Sequence, residues 1–215
     1  RAPNSLAHRT TWLRSDLYYM SKLLFIGDSI TQDNRFDDPR GLGHGYVSLI
    51  YDYITLQLPE KEINVINRGI SGDEITHLEK RWDKDVLQNN PDYLSISIGI
   101  NDAWGQVKRN EKNVEQVHFF KHAYDQLIKQ TKQKTNAKII LMEPTIITPN
   151  KHSMGQEVLA LYVNAVQDLS RKHNTLLVPL FQIFDSFNQS YPQHELTSDG
   201  IHMTKLGSML IAKIW

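Results

Sequence analysis

Five short runs of β-branched or otherwise apolar residues, Leu23 to Ile26, Ile63 to Ile66, Leu94 to Ile98, Lys138 to Met142 and Leu176 to Leu180, alternate with longer segments of helical period. Strands separated in this way cannot pair through tight hairpins and must be joined by helical crossovers, so the pattern predicts α/β architecture: a parallel sheet of about five strands covered by helices on both faces. Val47, Ile50, Tyr51, Ile54 and Leu58 recur at spacings of three and four and form an amphipathic stripe that Pro59 ends. Ile75, Leu78, Trp82 and Val86 form a second stripe, Val114 to Ile128 a third, Val158 to Leu169 a fourth and Leu206 to Ile214 the last.

Between these elements lie two loops with cleft-forming character. Asp33 to Gly45 is polar and holds Pro39, Gly41, Gly43 and Gly45. Residues 144 to 156 hold Pro144, Pro149, Asn150 and Gly155. No internal repeat or low-complexity linker suggests a second domain, so residues 20–215 are expected to form one. Residues 1–19 carry scattered Arg, His, Ser and Trp without an apolar stretch, unlike a signal peptide. They are expected to be a cloning remnant or a disordered extension, with Met20 as the natural start and the cytoplasm as the location.

Composition narrows the function. Lys plus Arg equals Asp plus Glu at 24 each, which leaves no global field to attract nucleic acid or an anionic membrane and suits a small neutral substrate. The absence of cysteine excludes disulfides, thiolate catalysis and cysteine-bound zinc. No apolar run approaches the roughly 18 residues that a bilayer span needs, so membrane insertion is not expected. A homo-oligomer is compatible with all of this.

The chemistry concentrates at strand ends. Gly27-Asp28-Ser29-Ile30-Thr31 follows the first apolar run and puts a serine hydroxyl at the carboxyl edge of the sheet, where open α/β folds keep their sites. Ser198-Asp199-Gly200-Ile201-His202, near the other end, supplies a carboxylate three residues before an imidazole, a spacing over which a short turn lets Asp199 reach one ring nitrogen while the other faces Ser29. Asn67-Arg68-Gly69-Ile70-Ser71-Gly72-Asp73 and Gly99-Ile100-Asn101-Asp102 follow the second and third runs and open on the same edge. Each has a plainer reading as well. Ser29 also fits a helix cap, Gly72 a turn of positive φ, and Asn101 a turn residue bonding its own backbone, and Gly69 is the alternative to Gly72 if the register of that segment differs. Asp28 and Asp102 read as structural hydrogen-bonders.

With these four blocks in this order, the chain resembles the GDSL or SGNH hydrolases, a family of esterases and lipases, from about Lys22 to the C-terminus. The resemblance implies a flavodoxin-like strand order and a metal-free, cofactor-free serine esterase. It also implies that Ser29 is the nucleophile, His202 the base and Asp199 its partner, with Ser29, Gly72 and Asn101 forming the oxyanion hole. Asn67 to Gly72, Arg81-Trp82, Ser95 to Asp102 with Trp104, and Glu143-Pro144 are most similar to the subgroup that includes acetylxylan esterases. The implied substrate is therefore a small ester, with an acetylated sugar favoured. A lipase or lysophospholipase activity is the runner-up, and a non-catalytic carbohydrate-binding relative the reading from another class.

Trp104, just past the Asn-Asp pair, is the candidate sugar-stacking ring, whereas Trp82 falls on a helical stripe and reads as core. His118 and His122, four apart on one helix, have a spacing that can bind metal but no evident third ligand. Ile30, Ile70 and Ile100 neighbour the three oxyanion positions and predict a shallow acyl pocket. A histidine base predicts hydrolysis that rises with pH through an apparent pKa within about a unit of 6.5.

Overall fold

The computed structural model describes residues 22–146 and 154–215. Residues 1–19, and the centre of the loop read over 144–156, lie outside the described residues. Five parallel strands, β1 (Lys22–Gly27), β2 (Asn64–Gly69), β3 (Tyr93–Ser97), β4 (Lys138–Met142) and β5 (Leu176–Val178), form one sheet in the order β2-β1-β3-β4-β5. This is the flavodoxin-like order that the family resemblance implied.

Burial explains why these runs become strands. Leu23, Leu24, Phe25 and Ile26 are all fully buried, as a strand covered on both faces requires. Alternate side chains then sort by face. Phe25 packs on Tyr46 and Trp215, and its neighbour across the sheet, Ser95, accepts a hydrogen bond from Trp215 Nε1 at 3.0 Å. That face is covered by α2 (Tyr46–Gln57) packed on α8 (Lys205–Ile214). The remaining long helices pack among themselves: α3 (Ile75–Trp82, continued by a π-helical turn over Asp83–Leu87) on α5 (Val114–Lys134), and α4 (Ile100–Lys108) and α5 on α6 (Met154–His173). A short α1 (Ser29–Gln32) follows β1, and α7 (Leu180–Ser190) follows β5.

Strand register positions the site. Gly27 pairs with Gly69 of β2 and with Ser97 of β3, so the first three strands end in one row. The segments carrying Ser29, Gly72 and Asn101 leave the sheet from that row, at the point where the chain order reverses and such folds bind ligands. Gly69 permits the close approach: a Cβ there would lie 2.2 Å from the backbone nitrogen of Gln32.

Two segments differ from the sequence reading. Leu180 begins a helix rather than ending the fifth strand, and Asn101 stands in the first turn of α4 rather than in a loop. Trp82 is core, 1% exposed, with its Nε1 donating to Thr131 Oγ1 at 3.1 Å.

Candidate active site

The turn carrying Asp199 and His202 is built by its own backbone. Asp199 Oδ1 accepts the N–H groups of Ile201 (3.0 Å) and His202 (2.8 Å), and Gly200 takes a φ of +88°, which an L side chain would strain. Ser198 N–H donates to His202 O at 2.9 Å and closes the loop. With Oδ1 occupied, Oδ2 faces the imidazole and accepts from His202 Nδ1 at 2.6 Å. The other ring nitrogen, Nε2, is then the acceptor for the Ser29 hydroxyl at 3.0 Å. Residues 173 positions apart in sequence thus form one relay. The imidazole bond and two backbone N–H bonds hold the Asp199 carboxyl down at about 2, so it is charged throughout the working range. Asp199 and His202 are both about half exposed, which leaves the relay open to a substrate.

Ser29 opens α1, whose N-cap Asp28 accepts Ile30 N–H through Oδ1 at 3.0 Å. A hydroxyl at a helix start lies beside unpaired N–H groups and the positive end of the dipole. Gly72 has a φ of +81° and open space around it, and neither its N–H nor that of Ser29 has an acceptor among the described residues. Asn101 Nδ2 donates one hydrogen to Asp73 O at 3.0 Å, which fixes the amide and leaves its second hydrogen for a ligand. Gly69 stands elsewhere: its N–H is held by Asn67 Oδ1 at 2.8 Å and its carbonyl by Arg35.

The turn that carries Gly72 is held from three sides. Gln32 Oε1 accepts Ser71 N–H at 2.6 Å. Asp102 accepts Ile75 N–H through both carboxylate oxygens, at 3.2 and 3.3 Å. Arg81 donates from Nε to Asp73 Oδ2 at 2.8 Å, with Nη2 in ion-pair contact with the same oxygen at 2.8 Å, and also reaches Asp85 and the carbonyls of Arg68 and Gly27. Neither Gln32 nor the extent of the Arg81 network is visible in the sequence. Arg81 stands out there only through the resemblance of Arg81-Trp82 to the acetylxylan-esterase subgroup.

Other predicted residues sit less centrally. Trp104 is half-buried against the core with Lys108 Nζ 5.8 Å from its ring centroid. Ile30 (8% exposed) and Ile100 (2%) turn into the core, so of the three isoleucines only Ile70 stays partly exposed beside the site. His118 and His122 are exposed on α5, and among the described residues no group of three His, Asp or Glu side chains is arranged to hold a metal. The loop after Ser29 does border a cleft: Asp33 and His44 face Met203, Thr204 and Lys205 across about 330 Å³. Among the described residues no helix is long and apolar enough to cross a membrane.

The GDSL-like lipase/acylhydrolase family pattern matches residues 25–210, a stretch that includes every one of these strand-end segments. The chain belongs to this family. It is a carboxylic ester hydrolase. An acetylxylan esterase from Geobacillus stearothermophilus is 33% identical to this acylhydrolase over 202 residues, 89% of this chain and 90% of that one. The crystal structure of an acetylxylan esterase from that organism has a TM-score of 0.79 at 32% identity, covering 90% of this chain and 91% of the other. An alpha/beta hydrolase enzyme from the metagenome of Lake Arreo, Spain, gives 0.81 at 30% identity, covering 90% and 92%. Three structures of the Geobacillus enzyme are of catalytic mutants with a serine, an aspartate or a histidine changed to alanine, the aspartate three residues ahead of the histidine.

The acylhydrolase carries two further carboxyls next to the site. Burial pushes Asp28 up to about 7, and burial together with the nearby Glu74 does the same to Asp102. A folded-state value above the usual carboxylate range means that between about pH 4 and 7 the folded chain holds a proton the unfolded chain has lost. Stability contributed by each group therefore falls as pH rises through that window, by up to about 1.4 kcal/mol per pH unit. Thermal unfolding is expected at higher temperature at pH 5 than at pH 8. Asp28→Asn, which keeps an acceptor for Ile30 N–H, is expected to flatten that slope, and an unchanged slope in this variant would remove Asp28 as its source.

Proposed function

We propose that the hydrolase removes acetyl or other short acyl groups from a carbohydrate or small alcohol through an acyl-enzyme on Ser29. The relay from Ser29 Oγ through His202 to Asp199, at 3.0 and 2.6 Å, carries this reading. As Oγ attacks the ester carbonyl carbon, its proton passes to His202 Nε2, and Asp199 stabilises the imidazolium and holds its orientation. The charge that develops on the carbonyl oxygen meets the N–H groups of Ser29 and Gly72 and the remaining amide hydrogen of Asn101; one such donor contributes on the order of a hundredfold in rate or more. Collapse breaks the bond to the alcohol, which leaves with the proton from Nε2. Water then repeats the sequence and releases the acid.

The preference for acetyl groups on sugar is supported by the Geobacillus relatives, which act as acetylxylan esterases. Buried Ile30 and Ile100 lend no support to a shallow acyl pocket, so the preference is a matter for measurement. Acetyl esters are expected to be cleaved faster than butyryl and far faster than octanoyl esters, and an acetylated xylo-oligosaccharide is expected to release acetate. If octanoyl esters are the better substrates, a lipase or lysophospholipase reading replaces this one. If no ester is turned over, the chain is a binding relative.

A further inference from the structure

A second cleft is lined from the junction that holds the Gly72 turn, where Asn101 donates to Asp73 O and Asp102 accepts Ile75 N–H. Asp102 follows Asn101, and Glu74 follows Asp73; with Gly105, Arg109, Phe119 and Tyr162 they line a half-open space of about 280 Å³ among the start of α3, the outer side of α4, and α5 and α6. Its floor is a helix-interior glycine. Glycine there costs roughly 0.5–1 kcal/mol against alanine. Packing does not require it, because a Cβ at Gly105 would meet Arg109 Nη1 at 3.4 Å and Glu74 Oε1 at 3.7 Å, both ordinary contacts.

The walls carry complementary polar groups. Arg109 commits Nε to Glu111 and Nη2 to Gln116, which leaves Nη1 as a donor over the glycine. Among the described residues Asp102 accepts from Ile75 N–H alone, and Glu74 accepts His77 N–H at the head of α3, so both carboxyls retain acceptor sites. Tyr162 forms a fixed wall, its hydroxyl accepting from Gln106 Nε2 at 2.7 Å. Phe119, 53% exposed, offers an aromatic face at the rim.

We propose that this cleft binds a pyranose unit of the substrate chain, next to the sugar whose acetyl group is at Ser29. Acceptors on one side, a fork donor on the other and an exposed ring match the alternating hydroxyls and the C–H face of a pyranose. The guanidinium beside the two carboxyls disfavours a metal cation as the occupant. A bare glycine floor gives a flat ring room to settle between Glu74 and Arg109. The cleft, rather than the half-buried Trp104, then distinguishes an oligosaccharide ester from a small one.

The inference rests on the proposed sugar-ester activity, and the experiment separates the two. For the full-length chain, kcat/KM is measured on acetylated xylotriose and on 4-nitrophenyl acetate, and the ratio of the two is compared among the parent, Gly105→Ala and Phe119→Ala. The added methyl group raises the cleft floor in a helix it should itself stabilise, so misfolding cannot imitate the effect. The ratio is expected to fall about tenfold in each variant, mainly through KM for the oligosaccharide, a loss of about 1.4 kcal/mol in transition-state binding. A parent that deacetylates xylotriose while both variants keep the ratio within twofold would overturn the subsite. A parent that releases acetate from 4-nitrophenyl acetate but from no sugar overturns the sugar-ester reading and the subsite with it.

Discussion

Ser29→Ala is expected to leave a folded protein whose kcat/KM on an acetyl ester is lower by at least about a thousandfold, equivalent to about 4 kcal/mol of transition-state stabilisation. Folding should be spared because among the described residues the hydroxyl bonds only His202 Nε2, in an exposed setting where a lost hydrogen bond has little effect on stability. Catalysis should not be spared. Without Oγ the proposed acyl-enzyme cannot form, although the N–H groups of residue 29 and Gly72 and the Asn101 amide, proposed as the oxyanion donors, remain. On that proposal a residual rate above that of water is expected, because removing one member of such a set leaves the oxyanion donors in place. Mass spectrometry after treatment of the parent with a sulfonyl fluoride is expected to place the adduct on Ser29. Labelling at another serine, or normal turnover by the alanine variant, would falsify the assignment.

How much of this was legible in the sequence follows from the range of the interactions involved. The strands are readable because double burial demands uninterrupted apolar runs, as in Leu23 to Ile26. The Asp199 and His202 pairing is readable because both partners lie on one five-residue turn. Their meeting with Ser29 is not a local property. It depends on β1 and the approach to α8 being brought together across 173 positions, and only family resemblance reaches that far from sequence. Helix α4 was hidden by its composition: Gly99, Asn101, Asp102 and Gly105 are all weak helix formers, and tertiary packing against α6 overrides their propensity. Gln32 carried no signal at all, since a polar residue at the end of a short helix reads as solvent-facing until the segment after β2 places Ser71 beside it. The isoleucine argument gains no support for a related reason. Adjacency in sequence to a site residue does not by itself fix which way a side chain turns, and Ile30 and Ile100 are both buried.

Arg81 is the residue on which fold and site depend together, and Arg81→Met is expected to damage both. Methionine conserves most of the buried stem but leaves Asp73 as an uncompensated carboxylate, leaves Asp85 only Arg68 at 3.9 Å, and strips a donor from the carbonyls of Gly27 and Arg68. Side-chain exposures of 14% for Arg81, 10% for Asp73 and 15% for Asp85 place these pairs outside the surface regime in which ion pairs contribute almost nothing. Breaking such a pair from one side typically costs about 3–5 kcal/mol. In a chain of this size that corresponds to a midpoint lowered by roughly 10 °C. The same loss reaches the chemistry, because Asp73 supplies both the carboxylate that Arg81 holds and the carbonyl that orients the Asn101 amide. With that turn loosened, kcat is expected to fall more than KM rises if Gly72 and Asn101 are the proposed oxyanion donors, since such donors act mainly on charge that develops in the transition state. Adding Asp73→Asn to Arg81→Met removes the stranded charge and should recover part of the lost stability, a coupling that two independent surface substitutions do not show. A midpoint within 1 °C of the parent together with an unchanged kcat would mean that the network is decorative, and that the turn carrying Gly72 is held by Gln32 and Asp102 alone.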